Sequence, residues 1–271
     1  MSLKAFSFGG GVQSTAALVL AAQGRIDYRT FLFCNVGEDS ENPETLAYVH
    51  EVAMPFAHRM GLNLIELQKV RRDGSVDTIY RRLTRPGSRS IGIPVHLSNG
   101  APGRRACTVD FKILVVDHWL KREWQAHRYG VLVGLGISLD EFTRMRTNTD
   151  PETMGWKRLD YPLIDLRLDR VACIRLIEQA GLPVPPKSAC WFCPYHSQRV
   201  WQEMRAKQPA LFERAVALEQ LINERRAASG KDPVYLSRQC KPLPLATTDY
   251  VQLSLLDQDE DQVCESGYCF V

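Results

Sequence analysis

No run in the sequence approaches the roughly 18 uninterrupted apolar residues that span a membrane. The opening residues, MSLKAFSF, lack a charged start, a long apolar stretch and a small-residue cleavage site. A cytoplasmic protein without a membrane partner is therefore expected. There is no internal repeat, no Gly-X-Y period and no sustained heptad, which excludes a collagen or a coiled coil. Neither GxxxxGK[ST] nor GxGxxG occurs, so both common phosphate-loop signatures are missing. Charge of one sign is also scarce overall, the net being only +3. With 45% hydrophobic residues in 271, the chain can bury a full core, which excludes a disordered protein.

The charge that is present is unevenly placed. Residues 69–105 carry nine Lys and Arg against Asp73 and Asp77, a surplus of seven, so the remainder sums to −4. Such a segment suits an anionic partner: phosphate, sulfate or nucleic acid. Eight cysteines in a chain of this kind point to metal or redox chemistry rather than structural disulfides. Cys34 and Cys173 lie in apolar runs and read as buried packing residues. Cys107, Cys190 and Cys193 lie in loop-like sequence.

Strand-like Ala5–Phe8 is followed by Gly9, Gly10 and Gly11 and then by an apolar helical run. Consecutive N–H groups of such a loop can form an anion nest, to which the helix N-terminus adds its dipole. Residues 28–35 and 62–67 read as further strands. Between them, Asn42 and Pro43 open a helix that Gly61 ends and Pro55 could kink. Residues 68–106 and 138–160 read as loops, 112–127 and 170–180 as helices, and 129–136 as a strand. The result is an α/β fold with a mainly parallel sheet flanked by helices. A domain over 1–196, a helical appendage over 197–240 broken near Pro209, and a tail over 241–271 complete the expected organisation.

Five segments in order resemble the phosphoadenosine phosphosulfate (PAPS) reductase family of the PP-loop ATP pyrophosphatases. They are SFGGGVQST at 7–15, NVGEDSENPETL at 35–46, RRACTVDFK at 104–112, GLGISLDEFTR at 134–144, and the stretch at 161–194 ending in CWFCP. The resemblance implies an adenine nucleotide alpha hydrolase-like fold. It also implies ATP with Mg²⁺ held by Ser7, Gly9, Gly10, Gly11, Ser14 and Thr15, with Gly37, Glu38 and Gly136 nearby. Lys112, Arg144 and a tail cysteine, Cys269, would take catalytic roles, and Cys264 would share the tail. Cys107, Cys190 and Cys193 would ligate a 4Fe–4S cluster. Zinc is the alternative, with His196 or Cys240 as the fourth ligand.

The chain departs from the family where Val12 and Gln13 replace the PP-loop Lys and Asp, and where Thr108 follows Cys107. The expected activity is adenylylation of a substrate oxygen for sulfur incorporation into a nucleic acid or nucleotide. Sulfur would come from a cysteine desulfurase or another donor, and the protein would act as a homodimer. Release of sulfite from adenylyl sulfate or PAPS, and a non-catalytic zinc module, are the alternatives.

Overall fold

The computed structural model describes residues 3–88, 90–145 and 155–248. They form two compact units, one from the residues up to 76 with 108–188, the other from 77–107 with the residues from 189 onward. Among the described residues no helix is long and apolar enough to cross a membrane.

The first unit is built on five strands, β1 (Leu3–Phe8), β2 (Thr30–Asn35), β3 (Asn63–Gln68), β5 (Val131–Leu135) and β6 (Lys157–Asp160). Their order is β3-β2-β1-β5-β6 and every pairing is parallel. The central strands LKAFSF and TFLFCN are apolar on both sides because both faces are covered. Side chains alternate with the pleat. Phe6, Phe8, Phe31 and Phe33 point into one core with helix α1 (Val12–Ala22) and the Arg170–Gln179 helix. Ala5, Leu32 and Cys34 point into the other, with Val116 and Leu120 of the Leu114–Glu123 helix.

Gly134 on β5 is set by this packing. It pairs with Phe6, and a Cβ there would stand 2.6 Å from the Phe6 ring and 2.8 Å from Tyr28.

Asn42 caps the Pro43–Tyr48 helix by accepting from Glu44 N–H, as its sequence indicates. The helix does not break at Pro55. A π-turn over Val49–Ala53 leads directly into Met54–Arg59, and such a turn spares the hydrogen bond that proline cannot donate.

Two loop readings are corrected. Residues 68–106 contain a helix, Ile79–Thr84, capped by Thr78, and a short strand β4 (His96–Leu97). Residues 138–160 contain a 3₁₀ turn, Leu139–Arg144, and strand β6. KRLD has too little apolar character to announce a strand. It is an edge strand whose pairing comes from its neighbour β5.

The second unit packs the Gln198–Lys207 and Pro209–Ala227 helices, separated at Pro209 as expected. Strand β7 (Val234–Tyr235) pairs antiparallel with β4. The buried Glu219 carboxylate accepts from Leu236 N–H (2.7 Å) and Leu243 N–H (2.9 Å), fastening the later segment to the long helix.

Candidate active site

The chain winds from β1 to β2 and β3 on one side, then returns to set β5 on the other side of β1. Open α/β sheets bind ligands outside the carboxyl ends of their strands at such a reversal. The loops leaving this point are Gly9–Gly11 after β1 and Gly136–Ser138 after β5.

Gly10 has φ +78°, and a Cβ there would lie 3.1 Å from Thr45 Cγ2, so the position needs glycine twice over. Gly11 is extended and is the N-cap of α1. Its N–H donates to Ser14 Oγ (3.2 Å), and the Ser14 hydroxyl donates back to the Gly11 carbonyl (3.0 Å). Ser14 thus braces the loop. The Gly9 carbonyl is held from outside by the Ser188 hydroxyl at 2.5 Å.

The first N–H groups of α1 have no partner within the helix, as at every helix start. Gly136 faces them: a Cβ on it would come within 3.1 Å of Ser14 N. Ser7, at the end of β1, is buried, and its hydroxyl meets no hydrogen-bond partner among the described residues. Thr15 is buried beside the Tyr48 phenol. Gln13 is buried too, and its Nε2 reaches Ser138 Oγ at 3.4 Å. Gln13 therefore ties the β1 loop to the β5 loop.

On the β2 side, Gly37 has φ +122°, donates to Asn35 Oδ1 (2.9 Å) and accepts from Ser40 and Glu41 N–H, each at 2.8 Å. Gly37 shapes this turn, whereas Glu38 is exposed. Asn35 in turn donates to Glu66 (2.6 Å), whose other oxygen meets His50 Nε2 at 2.7 Å.

Glu41 is buried in the same turn, and its Oε1 has no hydrogen-bond partner among the described residues. Burial raises its carboxyl above the usual carboxylate range, opposed by the Lys112 charge and by the Asn42 N–H. Lys112 is half-buried, and its carbonyl accepts the Cys34 thiol at 3.6 Å. Burial pushes the Cys34 and Cys173 thiols up to about 12, so both stay protonated and act as packing residues, as their apolar flanks suggest.

A proton held more tightly in the folded state stabilises most at low pH, and that contribution disappears as pH rises. The stability of Glu41→Gln relative to the unsubstituted protein is therefore expected to improve from about pH 4 to about pH 7. Urea midpoints of the two proteins measure this. Glu219, raised in the same way by burial, is common to both and cancels. A constant difference would place the Glu41 carboxyl in the ordinary range.

Arg144 closes the 3₁₀ turn and forms a buried ion pair with Glu141, their side chains 3% and 6% exposed. Asp140 beside it accepts from Arg170 N–H at 3.0 Å.

In the second unit, Cys190 and Cys193 share one tight turn, with Cys193 N–H donating to the Cys190 carbonyl at 3.0 Å. His196 Nε2 meets that same carbonyl at 2.9 Å, and the Cys240 thiol lies 3.2 Å from the Leu97 carbonyl. The Cys240 thiol and one ring nitrogen of His196 are thus engaged with backbone. Cys107 N–H donates to the Gly92 carbonyl (2.7 Å). Among the described residues no group of three or more His, Cys, Asp or Glu side chains is arranged to hold a metal ion. Cys264 and Cys269 lie outside the described residues.

Ser188, Ser138 and Glu41 carried no signal in sequence. Ser188 meets Gly9 across 179 positions, a distance no local pattern spans. The chain matches no protein-family model and no curated protein.

Proposed function

We propose that the protein binds ATP on the glycine loop and adenylylates a substrate oxygen, preparing it for replacement by sulfur. The observation that carries this reading is the pairing of Gly9–Gly11 with Gly136 around the start of α1, at the winding reversal of the sheet. Helix-start N–H groups hold phosphate through hydrogen bonds and the helix dipole. The buried, unpartnered Ser7 hydroxyl supports a polar ligand at the same strand end. ATP would arrive as its Mg²⁺ complex. Without the PP-loop Lys, the loop binds through backbone groups, with Lys112, whose charge acts on Glu41, a candidate for the compensating charge. The five family-like segments and the basic surplus at 69–105 support a nucleic acid or nucleotide as acceptor, with a separate protein as sulfur donor.

Product analysis tests the reaction. With acceptor present, pyrophosphate is expected from ATP, and AMP follows once a sulfur donor is added to displace it. Sulfite released from adenylyl sulfate or PAPS, with no pyrophosphate from ATP, would replace this reading with a reductase.

The proposal includes an iron–sulfur centre on Cys107, Cys190 and Cys193, resting on thiolate chemistry and the family-like segments alone. The described residues do not gather these thiols around one point, and no reaction step is assigned to a cluster. Iron and sulfide, counted after anaerobic purification, are expected near equal amounts and should fall on replacing any of the three by Ser. A colourless protein without iron would leave Cys190 and Cys193 as residues of a buried turn.

A further inference from the structure

The second unit contains an open depression beside the end of its long helix. Arg225, Arg226 and Lys231 line it, together with the hydroxyl-bearing Ser88, Ser90 and Ser229. Leu83, Ile91 and Ile222 supply an apolar wall, and among the described residues no acidic side chain lines it. We infer that this depression is a binding site for a phosphate group, built wholly within the second unit.

Three features fit it to an anion. First, the two arginines are held in place rather than left to roam. Arg225 donates from its two terminal nitrogens to the Leu83 carbonyl (2.5 Å) and the Thr84 carbonyl (2.8 Å). Arg226 is fixed through Nε on the Asp232 carbonyl (2.5 Å), which leaves both its terminal nitrogens for another acceptor. A guanidinium positioned in advance loses less freedom on meeting a phosphate.

Second, the helix end does not oppose an anion as a bare C-terminus would. Gly230, with φ +64°, turns the chain back, so that Ser229 and Lys231 N–H cover the Arg226 carbonyl and Gly230 N–H covers that of Ala227.

Third, the surrounding charge favours it. The described residues of this unit hold fourteen Lys and Arg against six Asp and Glu, and one of those six, Glu219, is buried between two N–H groups. The nearby Glu224 and Asp232 are exposed and do not line the depression.

A phosphate can come from a nucleic-acid strand or from a small molecule, and two probes separate these sources. The full chain is titrated at low salt with a labelled single-stranded oligonucleotide, and separately with inorganic phosphate. The variant Arg226→Gln/Lys231→Gln is expected to lose at least about tenfold in affinity for the probe that binds, as fits two lost charge-assisted contacts. For the oligonucleotide, the slope of log affinity on log salt should also shrink by about 1.4, from about 0.7 per lost cation. The charge-keeping variant Arg226→Lys/Lys231→Arg should retain most of the binding. Loss confined to the oligonucleotide assigns the site to strand phosphates, and loss for inorganic phosphate assigns it to a free one. The site is overturned if neither probe binds the unsubstituted protein, if the neutral variant binds as well as that protein does, or if the charge-keeping variant loses as much. ATP affinity at the glycine loop reports on the other unit and should not change, so this test stands apart from the nucleotide reading.

Discussion

Arg144→Met is expected to lower folding stability by about 3–5 kcal/mol, the range seen when one partner of a buried ion pair is removed. Arg144 and Glu141 are both almost fully enclosed and face each other across one 3₁₀ turn. Removing the guanidinium leaves the Glu141 carboxylate in a poorly solvating environment, which costs more than the pair itself contributes. Replacing both, as Glu141→Leu/Arg144→Met, should therefore recover most of the loss. Urea unfolding of the two single variants and the double variant measures the coupling. The family resemblance implies a catalytic Arg144, whereas this geometry makes it a structural partner that holds the turn beneath the β5 loop. Unchanged stability of Arg144→Met together with lost activity would return the residue to catalysis.

The glycines of the cradle should divide sharply. Gly10→Ala forces a side chain into the left-handed region, at roughly 1–2 kcal/mol, and presses on Thr45. Stability should fall with it. Gly11→Ala meets nothing closer than Ser188 Cβ at 3.8 Å and keeps an ordinary backbone conformation. Gly136→Ala sets a methyl group 3.1 Å from Ser14 N, so the backbone of the helix start must give by a few tenths of an ångström. Gly11→Ala should melt close to the unsubstituted protein, and Gly136→Ala somewhat below it. Both should nevertheless bind ATP more weakly. Displacing one charge-assisted hydrogen bond is worth about 1.5–3 kcal/mol, or roughly 10–100-fold in affinity.

The parallel sheet was readable because its strands carry their own signal. AFSF, running into the glycines, and YRTFLFCN are short, largely apolar runs beside turn residues, and buried parallel strands must be apolar on both faces. Asn42-Pro43 named a helix start for the same local reason, and the cap is there. What was hidden is non-local. KRLD becomes strand β6 only because β5 offers an open edge, and His96–Leu97 becomes β4 only because Val234–Tyr235 comes alongside. The glycine loop was visible as a motif, but its restraints were not. Gln13 reaching Ser138 and Ser188 reaching Gly9 are contacts between residues more than a hundred positions apart. Glu41 looked like one more polar residue ahead of a helix cap, and only burial sets it apart.

The central claim is that the cradle around the start of α1 receives nucleotide phosphates. Calorimetric titration of Mg·ATP into the unsubstituted protein and into Gly11→Ala tests it most directly, with melting temperatures measured alongside. Binding by the unsubstituted protein, weakened about tenfold or more in a variant that melts at the same temperature, is the expected result. No binding by the unsubstituted protein, or equal affinity in a folded Gly11→Ala, would contradict it.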